Sequence, residues 1–166
     1  MRTIWIWALL ISGCAHAEWR AAEHRLCAGE TCYQVGALAA GWHVVHQEGG
    51  EVGFFNDSAG AIIQSNASCR DDADAAPLST LTNHLLIGYT DRRVRSQERV
   101  ELDRREALRT VLDVRLDGVP MVLDLYVLIR NGCIFDLSLA APPSAYATAL
   151  GDFQRFVSGF QQGGRS

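Results

Sequence analysis

Five cysteines and five histidines are the side chains of this chain best able to do chemistry. The cysteines are Cys14, Cys27, Cys32, Cys69 and Cys133. A structural zinc site wants close Cys or His pairs repeated, and Cys27–Cys32 has no second close pair. A dithiol redox centre wants CxxC at a helix start, and none occurs. Structural disulfides are therefore the reading for Cys27, Cys32, Cys69 and Cys133. His43 and His46 form HxxH beside an apolar run, but a strand sends positions i and i+3 to opposite faces, so shared ligation would need a loop. Asp71, Asp72 and Asp74 could offer oxygen ligands to a hard cation, yet the glycine and closing glutamate of an EF-hand are missing. There is no HExxH, no GxSxG, no GxGxxG and no Walker-type P-loop. All fifteen basic side chains are Arg, so Schiff-base and P-loop lysine chemistry are excluded. No catalytic residue, cofactor site or metal site is expected.

The start of the chain explains the odd cysteine. Arg2 precedes the apolar run Ile4-Trp5-Ile6-Trp7-Ala8-Leu9-Leu10-Ile11, and small residues lead to Cys14. A short positive region, an apolar core and a small-residue cleavage site make an export signal, and the run is too short to span a bilayer as a helix. Leu10-Ile11-Ser12-Gly13-Cys14 resembles the lipobox of bacterial lipoproteins. The resemblance implies cleavage after Gly13 and a lipid on Cys14. The bland alternative is an ordinary signal peptide cut near Ala15-His16-Ala17. Lipidation leaves four cysteines, an even number in an exported chain. Four allow three pairings. The preferred one is Cys27–Cys32 with Cys69–Cys133, because the four residues from Ala28 to Thr31 suffice for a tight turn.

These residues need a scaffold, and the remaining sequence describes one. At 166 residues with 48% hydrophobic and 20% charged side chains, the chain holds one packed domain. A net charge of −4 argues against nucleic acid as a partner. Residues 14–30 show little apolar periodicity and read as a lipidated tether. Short strands are expected near Cys32–Val35, Val52–Phe55 and residues 60–67. Pro77 with Leu78, Leu81 and Leu85 predicts a helix ending near Gly88. Residues 91–106 carry five acids and six bases, which nearly cancel, and read as a solvated edge strand and loop. From Leu108 onward apolar and polar residues alternate. Asp117-Gly118 and Asn131-Gly132 are hairpin signals, so residues 107–139 predict a three-stranded antiparallel meander. After Pro142-Pro143, the residues Tyr146, Leu150, Phe153, Val157 and Phe160 make one stripe of a final helix. Residues 161–166 read as a frayed tail.

This order of elements resembles the PsbP/Mog1/DcrB-like group. The likeness is carried by Glu106–Thr110 through Asp117-Gly118, by Tyr126-Val127-Leu128, by Phe135–Pro142 and by the closing helix with Phe153, Phe156, Val157 and Phe160. The resemblance implies an α+β fold, an α/β sandwich with a central antiparallel sheet and amphipathic helices packed on it. The domain boundaries that follow are signal peptide 1–13, tether 14–30, domain 31–162 and tail 163–166. The group's activities differ, so the fold carries no function with it.

The functional expectation is a non-enzymatic envelope lipoprotein. It would be held by the lipid on Cys14 at a membrane, with the outer membrane's periplasmic leaflet favoured by resemblance to diderm lipoproteins. It would act on an envelope protein partner as a binding or assembly factor. Trp42, Tyr89 and the Arg-rich residues 92–105 are candidate anchors, and a core role for Trp42 is the competing reading. A carrier of a small apolar or lipid ligand is the alternative. A hydrolase assembled from distant loops is a weaker one.

Overall fold

The computed structural model describes residues 17–29, 31–46, 52–70, 73 and 76–163. Cys14, the residues of the export signal, and Asp71, Asp72 and Asp74 lie outside them. Among the described residues eleven strands form two antiparallel sheets, and two α-helices pack on the larger one.

The large sheet contains β4 (Trp42–His46), β5 (Val52–Asn56), β6 (Ala61–Cys69), β7 (Thr90–Leu102), β8 (Arg105–Leu116), β9 (Val119–Arg130) and β10 (Cys133–Ala141). Its order is β4-β5-β6-β10-β9-β8-β7. The meander read from the sequence is its centre, and β7 extends it by one strand. The hairpin dipeptides turn the chain as their types require: Asp117 and Gly118 have φ of 50° and 81°, Asn131 and Gly132 of 51° and 72°. Two consecutive left-handed residues give the turn whose twist matches the flanking strands.

Of the small sheet only the strand near Cys32 was expected. The sheet contains β1 (Glu18–Arg20), β2 (Arg25–Ala28), β3 (Thr31–Gln34) and β11 (Gln161–Gln162), in the order β1-β2-β3-β11. This corrects two boundaries. Residues 18–28, expected as tether, belong to the fold, and Gln161-Gln162 is a strand rather than frayed tail. The physical reason is tertiary. Ala17 and Trp19 pack on the main core, Leu26 is fully buried, and Gln162 is tied on both sides. Its backbone N–H donates to Asp103 Oδ2 (3.1 Å), its Nε2 donates to Thr31 Oγ1 (3.3 Å), and Asn131 Nδ2 donates to its Oε1 (3.1 Å).

Both faces of the large sheet are covered, which is why β9 is apolar on both of its faces. One face meets the small sheet and helix α2 (Tyr146–Ser158) around Phe54, Ile63, Phe135, Leu137, Leu139, Phe153 and Phe156. The buried stripe of α2 is Ala149, Phe153, Phe156 and Val157, so Leu150 sits beside the core rather than in it. The other face meets helix α1 (Leu78–Leu85) through Leu86, Leu112, Val114, Leu123, Leu125 and Ala140.

The cysteine pairing is the expected one. Cys27 and Cys32 are directly opposite across β2–β3, with Cα atoms 4.1 Å apart. Cys69 and Cys133 are opposite across β6–β10, 3.9 Å apart. The first staples the small sheet. The second ties the end of β6 to the start of β10 across 64 residues of chain.

Candidate functional site

Two places gather features that general folding does not require. The first is a buried charge. Asp124 lies in the middle of β9 and is fully buried. Arg109 on β8 reaches it with two hydrogen bonds, Nε to Oδ1 (3.0 Å) and Nη2 to Oδ2 (2.8 Å). Tyr146, the first residue of α2, donates its hydroxyl to Oδ2 (2.9 Å). The guanidinium of Arg109 also lies over the Tyr126 ring, 5.4 Å from its centroid. Burial, and then the nearby Asp124 carboxylate, push the Tyr146 hydroxyl up to about 12. The Asp124 hydrogen bonds raise Arg109 above its ordinary value. Every acceptor of the carboxylate faces a donor, so the arrangement pins the N-terminus of α2 to β8 and β9.

The second place is an apolar cavity of about 170 Å³ at the opposite side of the same sheet face. Its floor is a chain of aromatic rings. Trp19 meets Phe54 edge-on at 5.0 Å, and Phe54 meets Phe156 at 5.5 Å. Its walls are Trp42 and Val44 on β4 and Leu38 and Ala39 in the β3–β4 connection. That connection is held to α2 by an unusually close backbone approach. The Gly36 N–H donates to the Phe156 carbonyl (2.8 Å), and a Cβ on Gly36 would overlap the Arg155 carbonyl. A Cβ on Gly159 would in turn overlap the Gly36 backbone. Two glycines facing each other are what brings this wall in. Trp42 is fixed as well: its indole N–H donates to Asp152 Oδ2 (2.9 Å), and Asp152 Oδ1 accepts from Arg155 (2.7 Å). With its N–H occupied, Trp42 presents an apolar surface to the cavity.

The residues singled out from the sequence do not converge. His43 sits on β4 with Nδ1 3.3 Å from Asp57, and His46 is at the end of the same strand, so the HxxH falls on a strand and not in a loop. Among the described residues no three His, Cys, Asp or Glu side chains gather as a metal site would need. Among them, too, no helix is long and apolar enough to cross a membrane. Trp42 lines the cavity, half-buried. Tyr89 lines a separate groove of about 140 Å³ beside α1, with Gln64, Asn66 and Ser138. The Arg-rich segment is β7, where Arg92 Nε donates to the Tyr89 carbonyl (2.9 Å) and Arg95 lies over the Tyr146 ring, 5.8 Å from its centroid. The Arg109–Asp124–Tyr146 cluster escaped the sequence reading, although one signal was present. Asp124 is the sole charge in the run Val119–Ile129, and a lone acid inside a central strand needs a partner.

No protein-family model matches the chain, and no curated protein matches it significantly. Solved structures do match in shape. LpqN, a protein involved in cell envelope biogenesis of Mycobacterium tuberculosis, superposes with a TM-score of 0.57 at 10% identity, over 78% of this chain and 83% of LpqN. The cyanobacterial PsbP protein of Synechocystis, CyanoP, gives 0.54 at 14% identity, over 94% of this chain and 98% of CyanoP. A Bacteroides thetaiotaomicron protein gives 0.52 at 10% identity, over 90% of this chain and 48% of its own. At such identities the likeness concerns the fold alone. The α+β architecture is that of the PsbP-like neighbours.

Proposed function

We propose that this chain is a lipid-anchored protein of the bacterial cell envelope that works by binding a protein partner, as an assembly or accessory factor and not as an enzyme. The observation that carries the reading is the closure of Cys27, Cys32, Cys69 and Cys133 into two cross-strand disulfides. Such bonds persist in oxidising compartments. Their closure leaves Cys14 as the one cysteine without a structural task, in a Leu-Ile-Ser-Gly-Cys context that suits lipid attachment. The described fold begins at Ala17, so the anchor is followed almost at once by packed structure and the domain would stand close to its membrane. More than one acyl chain, at about 0.8 kcal/mol per buried methylene, makes such an anchor stable. The periplasmic leaflet of the outer membrane is the address we assign. The involvement of LpqN in cell envelope biogenesis supports the envelope as the compartment.

The anchor is tested by growing the native host with radiolabelled palmitate and weighing the purified protein. Label in the chain and loss of residues 1–13 are expected, and Cys14→Ala should abolish both. An unlabelled chain that keeps residues 1–13 overturns the anchor. In-host cross-linking tests the partner, and a purified protein that turns over a substrate while joining no envelope protein overturns the binding role. The cavity favours a second reading, a carrier of a small apolar or lipid ligand. Native mass spectrometry of host-derived protein separates the two, because a carrier retains its ligand.

A further inference from the structure

The cavity is lined in part by an edge strand. Strand β4 is the last strand of the large sheet, and among the described residues nothing pairs with its outer side. Alternate residues of an edge strand aim their N–H and C=O groups away from the sheet, ready for another strand. Strand β4 is short, but it lacks the protection of charged side chains, proline or a bulge. Its five residues, Trp-His-Val-Val-His, carry no formal charge and no proline, and its register with β5 runs unbroken from Trp42↔Asn56 to His46↔Val52. Trp42, Val44 and Val45 are only half-buried. Trp42 and Val44, two apart and so on one face, are themselves a wall of the cavity.

We propose that β4 and its cavity form a strand-addition site for an extended segment of a partner protein, with one large apolar side chain of that segment seated in the cavity. This rests on the binding reading above and names the surface and the chemistry. Main-chain hydrogen bonds to β4 would supply affinity, and the cavity would supply selectivity, the division of labour that strand addition uses elsewhere. An added strand lies about 4.8 Å from β4 and points every second side chain to the face of Trp42 and Val44. The volume of about 170 Å³ suits one phenyl ring, since an apolar cavity of about 150 Å³ accepts benzene. The aromatic floor of Trp19, Phe54 and Phe156 favours such a ring. The incoming segment should be apolar where it lies in the cavity, because apart from His24 and the tethered Trp42 indole N–H the lining side chains are apolar.

The experiment uses the full protein purified from its host, and eight-residue Thr/Val peptides with Phe, Leu, Ala or Lys at one central position. Binding is followed by tryptophan fluorescence, as Trp19 and Trp42 line the cavity, and by amide exchange. The Phe peptide should bind about tenfold or more tightly than the Ala peptide, from ring burial, and the Lys peptide should bind least. Amides of β4 should gain protection. Ala39→Trp places a bulky ring at an exposed wall residue. It should shrink the Phe-over-Ala preference to less than about twofold while β4 protection persists. Equal binding of Phe and Ala peptides, protection at β7 instead of β4, no binding up to about 1 mM, or a host lipid filling the cavity each overturns the proposal. A partner cross-linked through another surface would sink this site and leave the binding reading standing, and a missing lipid would sink the anchor alone.

Discussion

Strands β7 and β4 close opposite edges of one sheet, with opposite chemistry. Strand β7 runs for thirteen residues, seven of them charged, and its pairing with β8 is interrupted by two register shifts. Asp91, at the first shift, has φ of 50°. Ion pairs lace its flank: Arg99 with Glu106 (3.0 Å), Asp91 with Arg115 (3.2 Å), and Glu98 with Arg109 (3.4 Å). Charge and bulges are the means by which an edge refuses another strand. Strand β4 has neither. A long charged edge and a short uncharged one show that, among the described residues, the charge that discourages another strand is gathered at one end of this sheet, and the cavity lies at the other.

The supports beneath the two edges also differ, and this can be tested where the effect is largest. Strand β8, which carries β7, is anchored by the buried Arg109–Asp124 pair, whose side chains are 19% and 0% exposed. Asp124→Ala would leave the Arg109 guanidinium with only the exposed Glu98 carboxylate, 3.4 Å away, and the Tyr146 hydroxyl without its acceptor. We expect about 3–5 kcal/mol of lost stability in urea unfolding, the usual result of breaking a buried pair from one side. A loss under about 1 kcal/mol would mean that water reaches the cluster and that the β7 side does not rest on buried charge.

On the β4 side the cavity depends on the small sheet, which Cys27–Cys32 staples. The bond closes a loop of five residues, and chain-entropy reasoning gives it about 2 kcal/mol, against about 4 for the 64-residue loop of Cys69–Cys133. Replacing Cys27 and Cys32 together by Ser should therefore lower stability by about 2 kcal/mol. Amide exchange should quicken at β1, β2 and the cavity wall while β7–β9 stay unchanged. Loosening spread evenly over both edges would show that they are one cooperative unit and erase the contrast.

How legible these edges were follows from the length of their signals. The β8–β9–β10 meander announced itself because long alternating runs end at Asp117-Gly118 and Asn131-Gly132, where backbone conformation restricts the residue type. The charged character of β7 was equally plain. The other three strands of the small sheet were hidden because runs of two to four residues have no period to read. What makes Glu18–Arg20 a strand is Trp19 meeting Phe54, a contact between distant parts of the chain. The cavity is assembled from β1, the β3–β4 connection, β4, β5 and α2, so no local pattern foretold it. The disulfides were legible through cysteine count and loop length, which are properties of sequence alone.

The smallest expected effect concerns the exposed ion pairs of β7. Arg95 donates to Asp113 Oδ1 through Nε (3.0 Å) and Nη2 (2.5 Å), and the two side chains are 40% and 37% exposed. The hydrogen bonds from Arg95 hold the Asp113 carboxyl below its ordinary range. Partial burial works against them, and the charges of Arg95 and Arg93 add to them. A carboxyl depressed in the folded state stabilises the fold above its unfolded pKa, near 3.9, and loses that contribution as pH falls through the folded value. Solvent screening keeps the contribution to about 1 kcal/mol or less. Arg95→Ala should thus cost no more than about 1 kcal/mol at neutral pH, less in high salt, and almost nothing once pH has fallen below the folded value. If β7 serves to repel other strands, its charges need not stabilise the monomer much. A large, salt-resistant loss on removing Arg95 would show instead that the closed edge bears weight as Asp124 does, and that its charge was selected for stability and not for refusal.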